Sequence, residues 1–219
     1  MESGSPTQRI EPITLALAKA QARFPSTAED LLLPIYLVAA RTYFEEQSGR
    51  QCVDATWEYA LDGGPDERVI QLPRPPLASV VEVTYDDAAG AAQIFDAANY
   101  TVHESFDVPP GSPAQDPVID PYCPCGRIEL VAGASWPVTS GLARSLRIRR
   151  VCGYGATTEA MPLMIQAALL LLFTHFHRNR QEVVDVAQYQ LPLGAQALIS
   201  AFKWTALPTI PPTRRTFPY

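Results

Sequence analysis

A chain of 219 residues with 47% apolar and 18% charged side chains carries enough hydrophobic material for one large core or two small ones, which excludes an intrinsically disordered protein. The longest apolar run, Leu163 to Phe173, is interrupted by Gln166 and falls short of the roughly 20 residues a membrane span needs, and Met1 to Arg9 holds no apolar leader segment. The expectation is a soluble protein made in a cytoplasm, with no membrane partner. Its net charge of -6 is unevenly placed: residues 1–139 carry 8 Lys+Arg against 20 Asp+Glu, whereas residues 140–219 carry 9 against 3. Such polarity suits subunits that meet unlike face to unlike face, a basic surface on an acidic partner, or simply a solvated surface.

Residues 1–9 are expected to be disordered, and Ile13 to Arg23 reads as a short helix closed before Pro25. Ser26-Thr27-Ala28-Glu29 has the form of a capping box and predicts a helix from about Ala28 to Gln47, stopped by Gly49. Leu32, Ile35, Ala39 and Tyr43 recur at helical spacing and form the expected buried stripe, widened by Leu31, Val38 and Ala40. Pro34 should kink this helix or shorten its first turn.

From Cys52 the period changes to two. Strands are predicted over Ala55–Leu61, Arg68–Leu72, Ser79–Tyr85, Ala92–Phe95, Asn99–Glu104, Arg127–Val131 and Arg144–Cys152, with Val81, Val83 and Tyr85 sharing one face. Asp107 to Cys125 is a long Pro- and Gly-rich loop without periodicity. After the Gly153-Tyr154-Gly155 turn a second long helix should run from Pro162 to about Asn179, apolar on most sides, followed by a last helix over Leu193–Trp204. Thr205 to Tyr219 contains four prolines and the Arg214-Arg215 pair and reads as an extended arm.

The fold class that results is α+β. Residues 10–50 and 156–204 form a discontinuous helical bundle, residues 51–155 an inserted β-sheet module, and residues 205–219 a C-terminal arm, with the two long helices packed together across the hundred residues that separate them.

No arrangement of residues predicts chemistry. Cys52, Cys123, Cys125 and Cys152 are too few for a disulfide framework and are expected as free thiols. Cys123-Pro124-Cys125 has neither the usual zinc spacing nor a second ligand pair. His175 and His177, two apart on one helix, point in different directions and cannot share a metal. There is no G-x-S-x-G elbow around a serine, and Gly153-Tyr154-Gly155 lacks the spacing and lysine of a phosphate loop. Asp86 and Asp87 are adjacent turn carboxylates that diverge. No enzyme, cofactor or metal is expected.

The order of features resembles the head-tail connector (adaptor, or head-completion) proteins of long-tailed phages and phage-like particles, in their long form with a β-rich insertion. The residues that carry the resemblance are Ile13-Thr14-Leu15 with Ala18-Lys19 and Arg23, Ala39-Ala40-Arg41 through Glu45 and Gly49-Arg50, Trp57, Leu72-Pro73-Arg74-Pro75-Pro76 with Ser79-Val80, and Val83-Thr84-Tyr85 with Asp87 and Gly90. Further along come Tyr100-Thr101-Val102, Ser135-Trp136-Pro137, Val151-Cys152-Gly153-Tyr154-Gly155, Pro162, Asn179-Arg180 and Leu191-Pro192-Leu193-Gly194. Cys152 where alanine is more usual, the long loop and the extra tail depart from the pattern.

The resemblance implies a structural virion protein in the neck between capsid and tail. Such proteins form a homo-oligomeric ring, usually a dodecamer, that bridges the portal protein to a stopper or tail-completion protein while DNA passes through the channel without specific binding. On that reading Trp204, Arg214, Arg215, Phe217 and Tyr219 are the candidate contacts to portal or neighbouring subunit, and part of the acidic N-terminal portion lines the channel. Two rival readings accompany it: a carbohydrate-binding or enzymatic β-module using Trp57, Trp136 and Tyr154, and a DNA-binding protein using Arg144, Arg147, Arg149 and Arg150.

Overall fold

The computed structural model describes residues 2–5, 11–24, 26–104, 126–155, 157, 160–179 and 192–203. Helices α1 (Leu15–Ala22), α2 (Leu33–Ser48), α3 (Leu163–Arg178) and α4 (Leu193–Phe202) flank strands β2 (Ala55–Leu61), β3 (Val69–Gln71), β4 (Leu77–Asp86), β5 (Ala92–Ile94), β6 (Tyr100–His103), β7 (Arg127–Leu130) and β8 (Leu146–Cys152), and β1 (Glu2–Ser5) precedes them all. This is the α+β order that the sequence predicts.

The helix ends follow local chemistry. Thr14 caps α1 by accepting the Leu17 N–H at 3.2 Å, and Arg23 closes it in the left-handed region. α2 starts five residues later than expected, at Leu33, with Leu32 rather than Ser26 at the cap position and no side-chain cap there. Ser26 Oγ accepts the Ala28 N–H, Leu32 N–H closes a tight turn on the Glu29 carbonyl at 2.8 Å, and Pro34 falls in the first turn, where its missing N–H leaves no bond unmade. Deeper in the helix the same ring would clash with the preceding turn, so Pro34 sets where α2 begins. Gly49, at φ 69°, ends it with its N–H on the Glu45 carbonyl, as predicted.

The helices enclose one core, in which Phe44 and Phe173 are fully buried beside Leu33, Ala40, Ile165, Leu169 and Leu172. Each of those aromatic rings contributes roughly 1.5–3 kcal/mol by leaving water. α2 and α3 pack together as expected, with Tyr43 edge-on to Phe176 at 5.9 Å. The buried face of α2 is only partly the predicted one, Ala40 being buried as expected. Leu33, Leu37, Ala40 and Phe44 face the core, while Leu31, Leu32, Ile35, Val38 and Ala39 are exposed and Tyr43 is half-buried. On α1, Ala18 is buried but Leu17 is exposed, and Lys19 turns inward to Asp30 at 2.6 Å.

A second core lies between two antiparallel sheets, one in the order β1-β2-β8-β4-β5 and the other β3-β7-β6. Val83, Leu146 and Ile148 of the first meet Ile70, Ile128 and Leu130 of the second. The predicted strands fall within a few residues of those observed. Val81 is the exception in detail: it is exposed, and Val80 packs inward instead, because β4 shifts register against β8 between Leu77 and Ser79 and again between Val80 and Glu82. Each irregularity moves the following side chains to the opposite face. The expected disorder of residues 1–9 does not hold for Glu2–Ser5, which pair with Thr56–Tyr59 along β2. Nothing in Glu-Ser-Gly-Ser alternates in hydrophobicity; the unpaired backbone edge of β2 makes the strand.

The incoming and outgoing segments of the β module run side by side. Tyr154 N–H donates to the Cys52 carbonyl at 3.3 Å, and Gly155 N–H to Asp54 Oδ1 at 2.8 Å. Gly153, at φ 144°, lies so near that a Cβ there would sit 2.4 Å from the Asp54 nitrogen. Only glycine fits that crossing.

Candidate functional site

The residues where the two modules meet form a polar network; the sequence reading names several of them for the family resemblance but gives none a part in a joint. Arg50, 6% exposed, donates from Nε to the Phe202 carbonyl at 2.6 Å and from Nη1 to the Tyr154 hydroxyl at 2.9 Å, and lies over the Phe202 ring. It ties the end of α4 to the outgoing segment. Buried Glu45 accepts from Gln51 Nε2 and the Cys52 N–H, both at 2.9 Å, while its other oxygen takes Arg41 Nη1. Arg41 also holds Glu11 through both carboxylate oxygens, at 3.0 and 3.2 Å. Burial pushes the Glu45 carboxyl up from its ordinary value, against the pull of Arg41.

The Leu72–Pro76 stretch completes the joint. The Pro73 carbonyl accepts Arg150 Nη2, the Pro75 carbonyl accepts the Gln51 N–H and the Pro76 carbonyl accepts the Gly153 N–H. The Arg74 guanidinium covers the Trp57 ring at 4.2 Å. A proline-rich run ends strand pairing and leaves carbonyls without neighbouring donors of its own, which suits it to receive bonds from elsewhere.

The arginines proposed for DNA binding are engaged within the sheet. Arg144 pairs with Glu58 at 2.9 Å, Arg147 with Asp86 at 2.6 Å and Arg149 with Glu82 at 3.2 Å, while Arg150 is fully buried. β8 is the basic central strand between acidic neighbours, so part of the charge polarity seen along the sequence is neutralised inside one subunit. The Arg147 hydrogen bond holds the Asp86 carboxyl below its usual range.

Trp57, Trp136 and Tyr154 do not make a sugar platform. Trp57 and Trp136 pack against the β core and Tyr154 against the helical core. Arg74 occupies the Trp57 face, and the Trp136 indole donates to the Glu67 carbonyl at 2.8 Å while its ring meets Phe95 at 5.6 Å.

His177 is set among Phe24, Tyr36 and Phe173 and faces Glu29 at 3.1 Å, whereas His175 bonds Asn179. The two rings are separated, as their spacing predicts. Cys52 and Cys152 are buried free thiols, and burial pushes the Cys52 thiol well up. Asp87 spans its turn, accepting from the Ala89 and Ala91 N–H groups, and Asp86 turns to Arg147. Among the described residues no three His, Cys, Asp or Glu side chains gather as metal ligands, and no helix is long and apolar enough to cross a membrane. Trp204, Arg214, Arg215, Phe217 and Tyr219, like Cys123, Cys125 and the whole of the long loop from Asp107, lie outside the described residues.

The outer surface of the helical block is the remaining candidate. Leu31 is 91% exposed, Ile35 62% and Leu32 47%, and beside them a groove of about 640 Å³ opens between α2 and α3, lined by Tyr36, Tyr43 and Phe176. Leu163 and Leu193, at the first turns of α3 and α4, are each 79% exposed.

Neither a protein-family model nor a curated protein matches the sequence. Solved structures do match in fold. A chain from the virion of a native gene transfer agent (GTA) particle superposes with a TM-score of 0.73 at 20% identity, covering 95% of this chain and 98% of that one. A chain from the neck of an empty GTA particle computed with C6 symmetry gives 0.72 at 21% identity with the same coverage, and one from the neck of a native GTA particle computed with C12 symmetry gives 0.65 at 22% identity over 94% and 98%.

Proposed function

We propose that this protein is a structural component of the neck of a phage-like particle, a head-tail adaptor assembled as a ring of identical subunits, with twelve copies as the expected number. The observation that carries the reading is the end-to-end likeness to neck chains, which leaves only 5% of this chain and 2% of the other uncovered in the virion and C6 comparisons. The likeness includes the β insertion as well as the helices, so it supports a common role for the whole chain. Particles computed with C6 and C12 symmetry support a ring.

In this role the ring bridges the portal to a stopper or tail-completion protein, and DNA passes through its lumen without specific binding. The function is mechanical, with no catalysis. The arm from Thr205 to Tyr219, with Trp204, Arg214, Arg215, Phe217 and Tyr219, reaches an acidic surface of portal or neighbouring subunit. Part of the acidic N-terminal portion lines the channel, where negative walls let DNA slide.

Electron microscopy of the purified protein alone and mixed with a cognate portal tests the reading. Rings in either condition are expected, and a monomer in both overturns it. Removal of residues 205–219 should weaken binding to portal-bearing capsids; undiminished binding removes the arm from the account. Lumen residues that map as predominantly basic exclude the acidic channel.

A further inference from the structure

We infer that in the free subunit the chain's own C-terminal arm lies in the groove between α2 and α3, with Leu207-Pro208 over Tyr43 and Ile210-Pro211 over Tyr36; the inference concerns one subunit and does not depend on the ring. The groove, about 640 Å³ in volume, is lined on α2 by Tyr36, Ala39, Tyr43 and Glu46 and across from them by Phe176 and Asn179. Its aromatic rings stand on edge. Tyr43 meets Phe176 at 5.9 Å and 78°, and Tyr36 meets His177 at 6.1 Å and 87°. Such edge-to-face contacts fix the rings in place, and the small, exposed Ala39 between the two tyrosines leaves the floor of the groove open. Tyr36 and Tyr43 are two turns apart on α2, about 10 Å along its axis.

The arm carries the matching pattern. In Leu207-Pro208-Thr209-Ile210-Pro211 an aliphatic residue followed by proline occurs twice, with the P-x-x-P spacing of segments that enter aromatic grooves as a polyproline II helix. That helix has three residues per turn and rises about 3.1 Å for each, so Pro208 and Pro211 fall on one edge about 9 Å apart. The two aliphatic-proline pairs therefore match the two tyrosines in spacing. Three other runs share the spacing: Pro73–Pro76 is engaged in the joint, and Pro110–Pro113 and Pro121–Pro124 lack an aliphatic residue before each proline.

The place where the described chain ends selects the same occupant. Arg50 Nε holds the Phe202 carbonyl at 2.6 Å, just beyond the C-terminal end of α2, and Tyr43 lies about two turns back along that helix. Lys203 to Leu207 covers up to about 13 Å when extended, enough to bring the first pair to Tyr43 and the second onward to Tyr36. Sixteen residues follow Lys203, up to about 50 Å of polyproline II helix, so a path around the end of α2 is also within reach. Because the prolines restrict the chain beforehand, little conformational entropy is lost on docking. Stowed in this way, the arm keeps its apolar edge covered until a portal or neighbouring subunit takes it.

The experiment uses the full chain in a Cys123→Ser, Cys125→Ser background, since Cys52 and Cys152 are buried. Ala39→Cys, at an exposed position in the groove, is combined with Thr209→Cys and treated with a short bismaleimide; Val81→Cys, exposed on β4, is combined with Thr209→Cys as the control. A bridge within one chain is expected from the first pair, identified by mass spectrometry as linking positions 39 and 209, in a fraction independent of protein concentration. The control should give about tenfold less, because the seated arm holds its cysteine at high effective concentration only near the groove. Adding Pro208→Ala and Pro211→Ala to the first pair should lower the bridge about fivefold, as the arm loses its preset shape.

Bridges only between chains show a neighbour's arm in the groove, equal yields at positions 39 and 81 show an arm without a seat, and no bridge at all shows a groove with another occupant or none. Each of these overturns the inference, as does a yield that the proline changes leave unaltered. Ring formation is read separately, by sedimentation of the wild-type chain, so the seat of the arm and the ring can each fail while the other stands.

Discussion

In the β module the cationic side chains of β8 and of the turn before it stand opposite carboxylates of β2 and β4, so that Arg144, Arg147 and Arg149 each find a partner within the subunit. In the helical block the surplus is apolar and faces outward, at Leu31, Ile35, Leu163 and Leu193. The β module also leaves Val81, Ile94, Val138 and Leu142 exposed, but these are spread over separate elements. The difference teaches where to look for contacts: charges paired across a sheet leave little to bind, whereas a helix apolar on two sides offers a second face to its surroundings.

The strongest way to break the comparison is to break the joint between the regions. Gly153→Ala places a Cβ against the Asp54 backbone at a positive φ, and a loss of more than about 4 kcal/mol is expected, read as lost soluble yield or a collapsed denaturation midpoint. Next in size, Phe44→Ala should cost about 3–5 kcal/mol by opening a cavity in the helical core. If the two cores are separate cooperative units, hydrogen exchange should accelerate in α2 and α3 while β8 amides keep their protection; equal acceleration in both would merge them.

Arg50→Met removes the bonds to Phe202 and Tyr154 and should cost about 2 kcal/mol, with exchange loosened first at the end of α4. The smallest effect is the sharpest in sign. Asp86 is held below its usual range by Arg147, so its contribution is present above the ordinary Asp value of about 3.9 and disappears as pH falls through the lower folded value. Glu45 behaves oppositely: its folded value is raised by burial, the folded state holds the proton longer, and stability at this group falls as pH rises through the window between the unfolded and folded values. Asp86→Asn should therefore flatten the loss of stability in acid, and Glu45→Gln should remove a slope of the other sign. Matching slopes in the two variants would contradict the contrast between the regions.

Much of the fold was legible because periodicity is a local property. The helix of Pro162–Asn179, the strand Ala55–Leu61, the hairpin closing on Ala92 and the turn at Gly153 all follow from spacing and turn chemistry. The stripe through Leu32, Ile35 and Ala39 was found as well, but assigned to the wrong side. A pattern reports that a face is apolar and cannot report what covers it; on α2 the narrower series Leu33, Leu37, Ala40 and Phe44 meets the core instead. The bulges that expose Val81 and the pairing that orders Glu2–Ser5 depend on partners distant in sequence, as does the role of Arg50, 152 residues from the carbonyl it holds. The joint left traces in the sequence, among them the Gly153-Tyr154-Gly155 turn and the Leu72–Pro76 run, whose carbonyls proved to be acceptors.

The side-by-side course of Gln51–Asp54 and Gly153–Gly155 has a consequence for how such proteins diversify. A module that leaves the scaffold and returns to it at the same place imposes no gap on the helices, so its length and content can change while α2 and α3 keep their spacing. A short bridge across the Cys52–Tyr154 contact could stand in for a hundred residues of sheet. The strand Glu2–Ser5, laced back onto β2, is the one described element outside the insertion that such an exchange would leave without its partner.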